Sequence, residues 1–135
     1  MKKLIISAGV LTSLFINSCN SDDGNCGRLG CLPNPVVNRA IQNTGSSVIT
    51  TTGGIDGIIV YQVGTTLRAY DMQDPDKCTG EINSRLTLSD DQLSLISDSG
   101  EQFLLLNGQP TRGVSCRGLI QYNISATGQI FEVSN

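Results

Sequence analysis

Hydrophobic positions follow three regimes along the chain. Leu4 to Ile16 is an apolar run of 13 residues, interrupted only by Ser7, Gly9, Thr12 and Ser13. Asn20 to Pro35 has little apolar content and is rich in Asp, Asn, Ser, Gly and Pro. From Val36 onward the pattern becomes a series of short β runs. Gly57-Ile58-Ile59-Val60-Tyr61-Gln62-Val63 is apolar on both faces, which predicts a buried strand. Gly64-Thr65 turns it into Thr66 to Asp71, where Leu67 and Ala69 share one face. Val36 to Ile41 predicts a first strand, and Thr44 to Asp56, with Gly53-Gly54 and Asp56-Gly57, reads as turns. Arg85 to Leu88 and Gln92 to Ile96 pair across Ser89-Asp90-Asp91. A polar turn, Ser97 to Gly100, feeds Glu101 to Leu106, which ends at the turn signal Asn107-Gly108. Leu119 to Ser125 is followed by Ala126-Thr127-Gly128 and then Gln129 to Ser134. Beyond the N-terminal run no long window has helical spacing, and no repeat is visible. The prediction is an antiparallel all-β domain over residues 36–135.

The first regime predicts targeting. Lys2 and Lys3 precede an apolar run too short for a bilayer, which needs about 20 residues. These are the proportions of a secretory signal over residues 1–18. Ile16-Asn17-Ser18-Cys19 resembles the bacterial lipobox. That resemblance implies lipidation of Cys19, cleavage before it, and a membrane anchor of several acyl chains. Residues 19–35 then form a lipidated linker. Asn20-Ser21-Asp22-Asp23 is similar to the acidic surface-export signal of Bacteroidota lipoproteins. The expected location is the bacterial outer membrane, and the export-like signal points to its outer surface.

Charge and composition narrow the function. The formal charge is −3 and the sequence pI about 4.7. Setting Lys2 and Lys3 aside, the remaining basic residues are scattered singly, which argues against a nucleic-acid partner. The chain contains no His. That excludes Ser-His and Cys-His nucleophile pairs, an imidazole base and any His-containing zinc site. Setting Cys19 apart leaves Cys26, Cys31, Cys78 and Cys116, an even number in an exported chain, which favours disulfides over a thiolate metal site. Four cysteines allow three pairings. Nearness predicts Cys26–Cys31, with Cys78–Cys116 as the second bridge.

The order of the pieces resembles the Rieske fold, and in particular the small Rieske-like lipoproteins of flavobacteria and their relatives. Gly57 to Tyr61, Ala69-Tyr70-Asp71 leading into Asp74-Pro75-Asp76-Lys77-Cys78, and Leu93 to Phe103 carry the likeness. Asn107 to Pro110 and Leu119 to Ile124 complete it. A Rieske domain holds a two-iron, two-sulfur cluster on two Cys and two His from two loop boxes. Aligned through Gly100-x-x-Phe103, the second box puts Ile96 and Ser99 at ligand positions. The first puts Asp74 and Lys77, or their immediate neighbours, there. The resemblance thus implies the fold while these residues argue against the cofactor. It also implies that Cys78 and Cys116 meet at the tip, where a disulfide would replace metal as the cross-link.

Other candidates are weaker. Asp71, Asp74 and Asp76 could ligate Ca²⁺, but the spacing fails as an EF-hand. Asp98 and Glu101 share one short turn, which does not suit a glycosidase pair. Tyr61, Tyr70, Phe103, Tyr122 and Phe131 read as core or hairpin residues rather than a sugar platform. The Gly-rich stretch Gly53 to Gly57 leads no helix and is not a phosphate loop. The expectation is a non-enzymatic lipoprotein with no cofactor or metal, a structural or interaction module with an envelope protein as partner. The alternatives are iron–sulfur electron transfer, and small-ligand or glycan binding at the loop tip.

Overall fold

The computed structural model describes residues 36–135 except 114 and 116. The predicted signal peptide and linker, with Cys19, Cys26, Cys31 and Cys116, lie outside the described residues. Within them run ten strands and no helix: β1 (Asn38–Gln42), β2 (Val48–Thr51), β3 (Ile58–Val63), β4 (Thr66–Asp71), β5 (Thr87–Leu88), β6 (Ser94–Ile96), β7 (Gln102–Leu104), β8 (Pro110–Arg112), β9 (Gln121–Thr127) and β10 (Ile130–Ser134). Every pairing is antiparallel. They form a six-stranded sheet ordered β1-β10-β9-β4-β3-β2 and a four-stranded sheet ordered β5-β6-β7-β8.

The double-sided apolar pattern of β3 explains the architecture. Ile58 and Val60 face one core with Ala69, Tyr122, Phe131 and Val133. Ile59 and Tyr61 face a second core with Tyr70, Leu86, Leu95, Phe103 and Leu105. The central hairpin β3–β4 is thus covered on one face by its own curled sheet and on the other by the small sheet. Phe103 and Phe131 are fully buried, one in each core. Burying each ring stabilises the fold by about 1.5–3 kcal/mol. At one end the large sheet's two edges meet, where Arg39 Nη2 of β1 donates to Thr52 Oγ1 just past β2 (2.8 Å).

Both two-residue hairpins place a glycine first, as the II′ type requires: Gly64 at φ 59° and Gly128 at φ 61°. The predicted strands are present with shifted ends: the first runs Asn38–Gln42 rather than Val36–Ile41, and Leu119–Ser125 becomes Gln121–Thr127, so Ala126 and Thr127 are strand and the turn starts at Gly128. Two strands were not anticipated. β2 lies inside the Ser- and Thr-rich segment, and as an edge strand it pairs only with β3. β8 begins at Pro110, the first residue of an edge strand, where the missing N–H costs no ladder bond.

Candidate functional site: the junction of two loops

The site is built from the end of β4 outward. Asp71 is fully buried, and its carboxylate accepts four hydrogen bonds. Ile55 N (2.6 Å) and Tyr122 Oη (2.6 Å) donate to Oδ2; Asp56 N (3.0 Å) and Gln73 N (2.8 Å) donate to Oδ1. Burial, and then the Asp71 carboxylate, push the Tyr122 phenol far above its ordinary range. The Gly-rich stretch therefore does cradle an anion, but the anion is the protein's own Asp71. Gly54 makes this contact possible, because a Cβ there would collide with Asp71 Oδ2 and the Tyr122 hydroxyl. This engagement also removes Asp71 from any Ca²⁺ ligand set.

Beyond Asp71 the chain leaves the large sheet as the first loop. The loop is pinned at its base: Asp74 N donates to Ser84 O (2.7 Å), Leu86 N to Met72 O (2.7 Å), and Gln73 bridges to Arg85. Ser84 Oγ also donates to Asp56 Oδ2 (2.7 Å), tying this loop to the Gly-rich turn. Inside it, the buried Gln73 amide donates from Nε2 to Asp74 O (3.0 Å) and Lys77 O (2.9 Å). Asp74 is also buried, and its Oδ1 accepts from Asp76 N (3.0 Å). Burial raises the Asp74 carboxyl pKa above the usual carboxylate range.

The second loop connects β6 to β7. Ser97 organises it: its N–H donates to Glu101 O (2.9 Å), its carbonyl accepts from Gly100 N (3.1 Å), and its Oγ accepts from Glu101 N (3.0 Å). Ser99 Oγ lies 2.9 Å from Ser97 Oγ. Ile96 is the last residue of β6, paired with Thr87 on one side and Gln102 on the other.

Side chains join the two loops. Lys77 Nζ donates to Asp98 Oδ1 (2.6 Å) and to Asn83 O (3.0 Å), and Asn83 Nδ2 donates to Asp98 Oδ2 (3.2 Å). Asn83 holds φ at 58°, a left-handed conformation that asparagine tolerates better than most residues. The hydrogen bond from Lys77 holds the Asp98 carboxyl below the usual carboxylate range. Beside this triangle, carboxylate oxygens of Asp74, Asp76 and Glu101 lie within 4.8 Å of one another. Carboxylates alone do not establish a cation site.

The predicted positions Asp74, Lys77 and Ser99 thus come together at one junction, with Ile96 at its base. Asn83, Gln73 and the linking role of Asp98 were missed. Asn83 left a signal, as Asn in a loop is a left-handed candidate; Gln73 left none. Asp98 is engaged by Lys77 and Asn83, while Glu101 groups with Asp74 and Asp76. Tyr61, Tyr70, Phe103, Tyr122 and Phe131 are all buried, which removes them as a sugar-stacking platform. Cys78 is disulfide-bonded, and its partner lies outside the described residues.

Two curled antiparallel sheets with paired loops at one end define a Rieske-like all-β fold. Comparison with solved structures agrees. The chain is similar to the ferredoxin of carbazole 1,9a-dioxygenase from Nocardioides aromaticivorans IC177, with a TM-score of 0.51 and 12% identity, over 74% of this chain and 97% of that one. No protein-family model matches the chain, and no curated protein matches it.

Among the described residues, Ile96, Lys77 and Ser99 do not supply the donors of a two-iron, two-sulfur cluster. Such a cluster needs thiolate and imidazole donors. Ile96 has no donor atom, the Lys77 ammonium is spent on Asp98 and Asn83, and the Ser99 hydroxyl is a hard, neutral oxygen.

Proposed function

We propose that this chain is a non-catalytic, cluster-free Rieske-like module of a bacterial envelope lipoprotein, acting through contact with an envelope protein. The observation that carries the reading is the Lys77–Asp98 ion pair, which stands between the two loops that the Rieske resemblance assigns to cluster ligands. The absence of His from the chain supports it. Ile82 supports the interaction role: it is 86% exposed on the pinned first loop, the kind of apolar anchor a partner pocket takes up. The lipid anchor at Cys19, the outer-membrane location and the Cys78–Cys116 pairing belong to the reading through the sequence.

Two measurements test it together. Protein from iron-replete cells should show no visible absorbance bands and no stoichiometric iron. Radiolabelled palmitate should enter the wild-type chain and not Cys19→Ser. Bound iron, or label retained by Cys19→Ser, would each defeat its part of the proposal. The likeness in fold to a ferredoxin favours a second reading, electron transfer through an iron–sulfur cluster, and the absorbance measurement separates the two.

A further inference from the structure

In a Rieske domain the cluster is also a cross-link, because each loop box supplies ligands to it. With donors that do not fit a cluster, the direct contact between the two loops falls to other side chains, beside the Cys78 disulfide whose partner lies outside the described residues. Four carboxylates crowd the junction: Asp74, Asp76 and Glu101 grouped within 4.8 Å, and Asp98 on the second loop. Left alone they would repel one another and spread the loops. Lys77 is placed against this repulsion. Its ammonium bonds Asp98 of the second loop and Asn83 O of the first, and its charge favours the ionised form of Asp74. Asn83 closes the triangle by donating to the other oxygen of Asp98. Two residues from the first loop thus grip both oxygens of one carboxylate on the second.

We infer that the Lys77–Asn83–Asp98 triangle closes the two box loops on each other without a metal, alongside the disulfide that ties Cys78 to a residue outside the described ones. Lys77 is then the resident cation of an acidic junction. The inference rests on the cluster-free reading, and it goes further by naming the polar contact that joins the two box loops. The pair is partly exposed, with side-chain exposures of 21% for Lys77 and 43% for Asp98. Its effect is therefore local, on loop opening, and salt-sensitive.

Amide hydrogen exchange on the full chain reads this directly. The reporters are Gly100 and Glu101, whose N–H groups are held by Ser97, and Lys77, whose N–H is held by Asp74 O. Lys77→Met keeps the aliphatic stem and removes the charge. It should speed exchange at these amides by about two- to fivefold, the span an exposed ion pair supports, and leave the β3 and β4 amides unchanged. Asn83→Gly keeps the left-handed backbone, removes the amide donor, and should have a smaller effect of the same sign. Added salt should speed wild-type exchange and leave Lys77→Met unmoved. A chelator should change nothing in the wild type.

Unchanged exchange in Lys77→Met, with circular dichroism showing a folded chain, would overturn the triangle while leaving the cluster-free reading intact. Loss of wild-type loop protection on chelation, with iron released, would overturn both.

Discussion

Tyr122 of β9 donates its hydroxyl hydrogen to Asp71 of β4 across 2.6 Å, with both residues buried. Three backbone N–H groups converge on the same carboxylate. This hub fixes the Gly-rich turn, the end of β4 and the start of the first loop relative to one another. The junction above it inherits its position from that hub. Tyr122→Phe leaves one lone pair of a buried carboxylate without its donor. It should cost about 1–3 kcal/mol of unfolding free energy, measured by urea denaturation. A loss below about 0.5 kcal/mol would mean that the backbone donors alone hold Asp71.

Gly54 and Gly128 share φ 61°, but their surroundings differ. A Cβ at Gly128 meets open space; one at Gly54 meets Asp71 and Tyr122. Gly128→Ala should cost about 1–3 kcal/mol, the strain of a positive φ alone. Gly54→Ala should cost at least about 2 kcal/mol more, because overpacking of a closed site adds to that strain. Denaturation midpoints of the two variants decide this. Equal losses would show that the Asp71 hub yields to the added methyl.

Alkaline pH should unfold the protein through its tyrosines. Burial, and then the Asp71 hydrogen bond, raise the folded pKa of Tyr122 above the unfolded value, which lies near 10. Burial raises Tyr70 as well. A raised pKa contributes stability that is complete below the unfolded value and lost as pH rises through the folded one. Stability should therefore fall above about pH 10, and the fall should be shallower in Tyr122→Phe. Phenolate absorbance of the wild type should show these two rings ionising only with unfolding. Their ionisation in the folded chain would contradict the closed geometry.

The hydroxyl of Tyr70 is buried and makes no hydrogen bond of good geometry among the described residues, although the Arg68 guanidinium lies close enough to favour its ionised form. A buried polar group left unpaired carries its full desolvation cost. Tyr70→Phe should be neutral or stabilising by up to about 1 kcal/mol. Thermal denaturation checks it, and a clear destabilisation would reveal a partner for the hydroxyl.

Much of this fold was legible because its signals are local. Ile58 to Tyr61 are apolar on both faces, and that announced a strand with cover on each side. Gly64 and Gly128 marked the two tight hairpins. Tyr61, Tyr70, Phe103, Tyr122 and Phe131 read as core and are buried. What escaped depends on distant partners. Val48–Thr51 is a strand only because β3 lies beside it. The acidity of Asp71 suggested a ligand, yet its partners are N–H groups of Ile55 and Asp56 and a tyrosine far along the chain. Lys77 and Asp98 lie 21 positions apart, and nothing near either residue announces the other. The loop boxes were readable as positions; the network joining them was not.

The central claim is that the junction closes without a cluster and cannot build one. Anaerobic incubation of the purified chain with ferrous iron and sulfide, followed by desalting and iron and sulfide analysis, tests that capacity rather than occupancy. The account predicts that neither element stays with the protein and that the Lys77 and Gly100 amides exchange as before. Retention of two irons and two sulfides per chain, the stoichiometry of a Rieske cluster, would contradict it.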